Sequence, residues 1–180
     1  MSVWISAIFG HRWPTLTKAT VDQIARASSG EASRTGYKRI YDPRSKCRQI
    51  ANDDSDAFLL PGDFSVHFGR QIFELGQPVR WGRLLLYKKV RRHFFAACRR
   101  TAKVAGAAEV LILPEGTQLA DCLYEDVSFE DVKRRALAIW GPPDLKPSTF
   151  FTKKELAEMP RNRVHDFLLP LSNCSTEQAH

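Results

Sequence analysis

RLLLYKKVRRHFFAACRRTAKVAGAAEVLILP, residues Arg83 to Pro114, decides the fold. It reads as a long amphipathic helix over about 83–105, a glycine stop, and a short apolar strand. Leu86, Val90, Phe94, Ala97, Thr101 and Val104 recur at steps of three and four, so the spacing places them on one helix face. Gly106 stands where a glycine in left-handed conformation ends a helix. Val110, Leu111, Ile112 and Leu113 follow with no polar break, the pattern of a strand buried on both faces. The chain is therefore expected to be α+β, a mixed sheet packed against this helix.

Working outward, Val3, Ile5, Ala7 and Phe9 alternate with Ser2, Trp4, Ser6 and Ile8 in a period-two strand that Gly10 closes. A helix is expected over 15–28, ended by Ser28-Ser29-Gly30. Ala57–Leu60 and Phe64–Phe68 flank Pro61-Gly62-Asp63 as a hairpin, with Phe64, Val66 and Phe68 facing one way and Ser65 and His67 the other. Gln71–Leu75 adds a strand. Ser128 and Asp131 have capping-box spacing and open a helix over 129–140, which Gly141-Pro142-Pro143 ends. A short helix over 153–159 starts with Thr152 and Glu155 in the same motif, and Val164–Leu171 reads as a last strand.

These elements fit one domain over 1–171, with a polar tail at 172–180. The stretch 29–57 has little apolar character beyond Tyr37–Tyr41 and reads as a basic, mobile loop. Its composition is fit for a binding loop held by a rigid scaffold.

Charge is segregated. The formal net charge is +7. Nine Lys or Arg lie between Arg80 and Lys103 with no acid among them, and seven acids lie between Glu109 and Asp131 with no Lys or Arg among them. The two blocks can neutralise each other in the fold. A basic balance favours an acidic partner. Arg34, Lys38, Arg39, Arg44 and Arg48 in the loop, with Arg91, Arg92 and Arg99 on the helix, are the partner-binding candidates. One partner of the right sign is nucleic acid: Arg91-Arg92 and Arg99-Arg100 stand two turns apart, where they would touch successive phosphates. The alternative for the same residues is the solvated back of a core helix. No recognised nucleic-acid module is present in the sequence.

No catalytic signature is present: neither a G-x-S-x-G, an H-E-x-x-H nor a Walker lysine. Cys47, Cys98, Cys122 and Cys174 lack both zinc spacing and disulfide-framework spacing, so no metal, cofactor or catalytic residue is assigned. Lys46 and Arg48 make Cys47 the one thiol with a nucleophile's electrostatics, the basis for an uncharacterised-enzyme reading. His93, between Val90 and Ala97, reads as a hydrogen-bonded core histidine. No run approaches the ~20 apolar residues of a membrane helix, and the N-terminus lacks the features of a signal peptide, so the expected location is the cytoplasm and no membrane partner is expected.

One pattern goes beyond composition. Ala105-Gly106, Val110 through Pro114, Ser128 through Val132 and Trp140 through Pro143 follow one another in order. Over residues 83–143 this resembles the C-terminal half of small bacterial immunity proteins, which protect a cell from toxins delivered by contact-dependent or type VI systems. The resemblance implies tight binding to one cognate toxin in the cytoplasm, without catalysis. A chain of this charge is a poor mimic of nucleic acid. Either its 109–131 segment is the contact face, or the toxin presents an acidic surface, which is the expectation preferred here.

Overall fold

A computed structural model describes residues 5–30, 38–40, 57–114, 122, 126–140 and 167–170. The fold is α+β. Its elements run β1 (Ile5–Gly10), α1 (Lys18–Ser29), β2 (Lys38–Ile40), β3 (Ala57–Leu60), β4 (Phe64–Phe68), β5 (Ile72–Gln77), α2 (Trp81–Leu86), α3 (Lys88–Ala105), β6 (Glu109–Pro114), α4 (Phe129–Trp140) and β7 (Phe167–Pro170). The strands form one sheet in the order β2-β3-β4-β5-β1-β6-β7, antiparallel at each pairing. The first strand in sequence is thus an interior strand, paired with β5 on one side and β6 on the other.

Strand alternation sorts side chains between two faces. Ile5, Ala7 and Phe9 of β1 join Phe64, Val66 and Phe68 of β4 and Val110 and Ile112 of β6 on the face covered by α1 and α3. Leu16, Val21, Ile24, Phe94, Ala97, Cys98 and Ala102 close that core from above. Phe9 and Phe73 stack at 4.8 Å within it. On the other face Ile8, Ile72, Leu111 and Leu113 pack against Cys122, Val132 and Ala136 beneath α4. The apolar run 110–113 is therefore buried on both sides, as its composition predicts.

Local signals act where the sequence places them. The 57–60 and 64–68 strands pair through a turn in which Gly62 and Asp63 both have positive φ. Thr17 caps α1 by accepting from the Thr20 N–H, so the helix begins at Lys18, three residues later than expected. The capping box of α4 forms in both directions: the Asp131 N–H donates to Ser128 Oγ, and the Ser128 N–H donates to Asp131 Oδ2. Gly106 ends α3 at φ 67°, where a side chain would be strained.

The helix expected as one piece over 83–105 is two. Tyr87 is extended, at φ −112° and ψ 111°, and divides α2 from α3. The hydrogen bonding survives the break, since the Tyr87 N–H donates to Arg83 O and the Tyr87 carbonyl accepts from the Arg91 N–H. Helical phase is not kept across an extended residue, so the buried face is displaced. It runs through Arg91, Phe94, Phe95, Ala97, Cys98, Thr101, Ala102 and Ala105, while Leu86, Val90 and Val104 are only half-buried. Cys122 lies in a helical turn. The helix expected over 153–159, residues 2–4 of the expected first strand, residues 164–166 and 171 of the expected last strand, most of the 29–57 loop and the 172–180 tail lie outside the described residues. Among the described residues no helix is long and apolar enough to cross a membrane.

Candidate partner-binding surface

The basic block divides between interior and surface. Arg91 is 3% exposed, which corrects its reading as a solvated contact residue. The displaced phase of α3 turns it inward with Phe94 and Phe95. Phe95, which is not among the residues whose spacing marks the apolar face, is buried for the same reason. Arg100 is half-buried: its Nε donates to Ala27 O at 2.6 Å and its Nη2 to Ser28 O at 3.0 Å. It caps the last carbonyls of α1 and joins α1 to α3. Burial first, and then Arg99 beside it, lowers its pKa.

Two of the four arginines expected to track phosphates are thus structural. The cations that remain on the surface are Arg80, Arg83, Lys88, Lys89, Arg92 and Lys103, with Arg99 half-exposed. Lys88, Arg92, Arg99 and Lys103 follow at steps of four, seven and four, a stripe about 22 Å long at 1.5 Å per residue. None of these four forms an ion pair among the described residues. Like charges at such steps repel by a few tenths of a kcal/mol per pair. The helix holds this repulsion and is kept in place by its buried side.

At the upper end of the stripe stands Tyr87, 46% exposed, with the Arg83 guanidinium 5.8 Å from its ring centroid. An exposed tyrosine with an arginine over it has the composition of a binding hot spot. His93 is exposed and stacks on Phe64 at 6.0 Å, which corrects its reading as a core histidine.

Of the other predicted contact residues, the two that are described lie off this stripe. Lys38 and Arg39 lie on β2, the edge strand, in register with Leu59 and Phe58. Arg34, Arg44 and Arg48 lie outside the described residues, as does Cys47.

Nor does the acidic block cover the basic one through its best-defined members. Lys133 donates to Glu109 at 2.6 Å, and Arg70 to Asp126 at 3.2 Å. Arg134 pairs with Asp131. The partners of all three acids stand outside the 80–103 block. The Gln71 amide and then Arg70 hold the Asp126 carboxyl below the usual range. The bond from Lys133 to Glu109 raises the lysine pKa.

For chemistry the described residues offer little. Burial pushes the Cys98 thiol far up, so it stays protonated and unreactive. Among the described residues no group of three or more His, Cys, Asp or Glu is placed to hold a metal. What the arrangement supports is a positively charged surface with an aromatic anchor. No family model, curated protein or solved structure matches this chain.

Proposed function

We propose that this chain neutralises a protein toxin by binding an acidic surface of it, in the manner of an immunity protein and without catalysis. The observation that carries the reading is the exposed cationic stripe of α3, unpaired among the described residues, ending at Tyr87 and Arg83. Complementary charge steers encounter with such a partner, and Tyr87 supplies the area that holds it. Nucleic acid is the weaker fit. The paired arginines that would follow a phosphate backbone contribute one interior residue, Arg91, and one that caps α1, Arg100.

The test is capture by the tagged full chain from its native lysate, at low and at high salt. The expected result is one stoichiometric protein that survives high salt. That protein should arrest growth when expressed alone and not when expressed with this chain. Reversing charge with Lys88→Glu and Arg92→Glu should abolish both capture and protection. Nucleic acid that elutes as salt rises would overturn the reading, because phosphate contacts release counterions.

A further inference from the structure

The outer side of α3 carries two parallel rows of long side chains. Arg92 and Arg99 are seven residues apart, which leaves them only about 20° apart around the helix axis. His93 and Arg100 repeat that relation in a second row, about 100° further round. Ala96 lies between the rows, three or four residues from each of the four. Its methyl group is the floor of a gap whose sides are long and mostly cationic.

The two rows are in different states. The second is engaged: His93 stacks on Phe64 with centroids 6.0 Å apart, and Arg100 donates to Ala27 O and Ser28 O. The first faces water, with Arg92 exposed and Arg99 half-exposed. Lys89 and Lys103, one at each end of the gap, are exposed, so the gap is reached from solvent. After burial, the charge of Arg99 is the next cause that lowers the Arg100 pKa, which shows a positive potential beside Ala96.

We infer that Arg92 and Arg99 grip one side-chain carboxylate of the partner protein, an aspartate or glutamate seated on the methyl group of Ala96. This rests on the reading of α3 as the contact surface and names what that surface holds. Residues three and four apart on a helix have Cβ atoms about 5–6 Å from each other, so a carboxylate above Ala96 is within reach of both guanidiniums. Each guanidinium offers a fork of N–H donors that matches a carboxylate. Without the carboxylate the two like charges repel; with it both are drawn inward. A phosphate chain would call on cations in both rows, and the second row is held by Phe64 and the end of α1. A carboxylate presented singly by a protein needs only the first.

The probe is N-acetyl-glutamate methylamide, titrated into the full chain and followed by amide NMR. Saturable shifts at Arg92, Ala96 and Arg99 are expected with a Kd on the order of 10 mM. The uncharged glutamine analogue should not saturate. Arg92→Gln and Arg99→Gln should each weaken binding about fivefold. Ala96→Leu keeps both charges and a strong helix former but fills the gap, so a similar loss is expected. No saturation, a loss confined to one of the two arginine variants, or unchanged binding to Ala96→Leu would overturn the assignment. Inorganic phosphate saturating the same residues at lower concentration than the glutamate probe would assign the pair to phosphate and overturn it too. The probe stands in for the toxin, so the two readings fail separately. Saturation by the probe with no protein captured from lysate removes the proposed function alone. Toxin capture at full strength by Arg99→Gln and Ala96→Leu removes the carboxylate grip alone.

Discussion

The two faces of the sheet are built on opposite principles. Beneath α1 and α3 nearly every inward position from β3 to β6 is apolar and buried, from Phe58 and Phe64 to Val110 and Ile112. Beneath α4 the apolar contact stops at β5, and Ser6, Glu74, Ser65 and His67 take over. The first face is a core alone. The second, among the described residues, joins a core beneath α4 to an array of polar side chains fixed by strand register. The same strands serve both, because their alternation lets one sequence write two surfaces.

The largest effect expected from this contrast is at Phe94. It is fully buried and stacks toward Phe64 with centroids 6.5 Å apart, so it ties α3 to the hairpin. Phe94→Ala should cost about 3–5 kcal/mol in chemical unfolding. A loss below about 1 kcal/mol would mean that the covered face is not a single cooperative core.

Gly76→Ala probes the other face. An added Cβ meets Ser65 Oγ at 2.6 Å, and the hydroxyl must move. Overpacking of this kind costs about 1–3 kcal/mol. Because the clash is with a side chain end, Gly76→Ala combined with Ser65→Gly should recover most of it in a double-mutant cycle. If the double variant is no better than the single one, Gly76 and Ser65 are not in the contact described.

Much of this was legible in the chain. Pro61-Gly62-Asp63 states its hairpin, Ser128 and Asp131 state their cap, and 110–113 states a doubly buried strand, because each signal is local. What could not be read was the phase of α3. Tyr87 carries no proline or glycine to announce a break, and counting from Leu86 across it placed the apolar face about one position out. Arg91 and Phe95 were misplaced as a direct result. Arg100 was legible as basic but not as the cap of α1, a contact 72 and 73 residues back along the chain. The hydrogen bond from Ser6 to Glu74 is similarly invisible, being the product of register between strands 68 residues apart.

Arg100→Ala removes the joint between α1 and α3 without opening the core. It takes away two charge-assisted bonds to Ala27 O and Ser28 O from a half-exposed side chain. About 1–2 kcal/mol of stability should be lost, below the full value of such bonds because water can replace part of them. Arg100→Lys should recover little, since one ammonium cannot reproduce the fork. Full recovery by lysine would mean that charge near the end of α1 matters and the geometry does not.

The smallest effect belongs to the residue next to the most buried cation. Arg91 and Arg92 share charge, length and neighbourhood in the sequence. One is 3% exposed and the other stands in solvent on the α3 stripe. Arg92→Ala should shift unfolding by no more than about 0.5 kcal/mol. The change should be toward greater stability at low salt, because it relieves repulsion from Lys88, four residues back. Added salt should erase the difference, since exposed charges about 6 Å apart are screened. A loss above 1 kcal/mol would place Arg92 in the packing of α3. The stripe would then lose its central cation as a binding group, and the division of α3 into a core side and a free cationic side would fail at its middle.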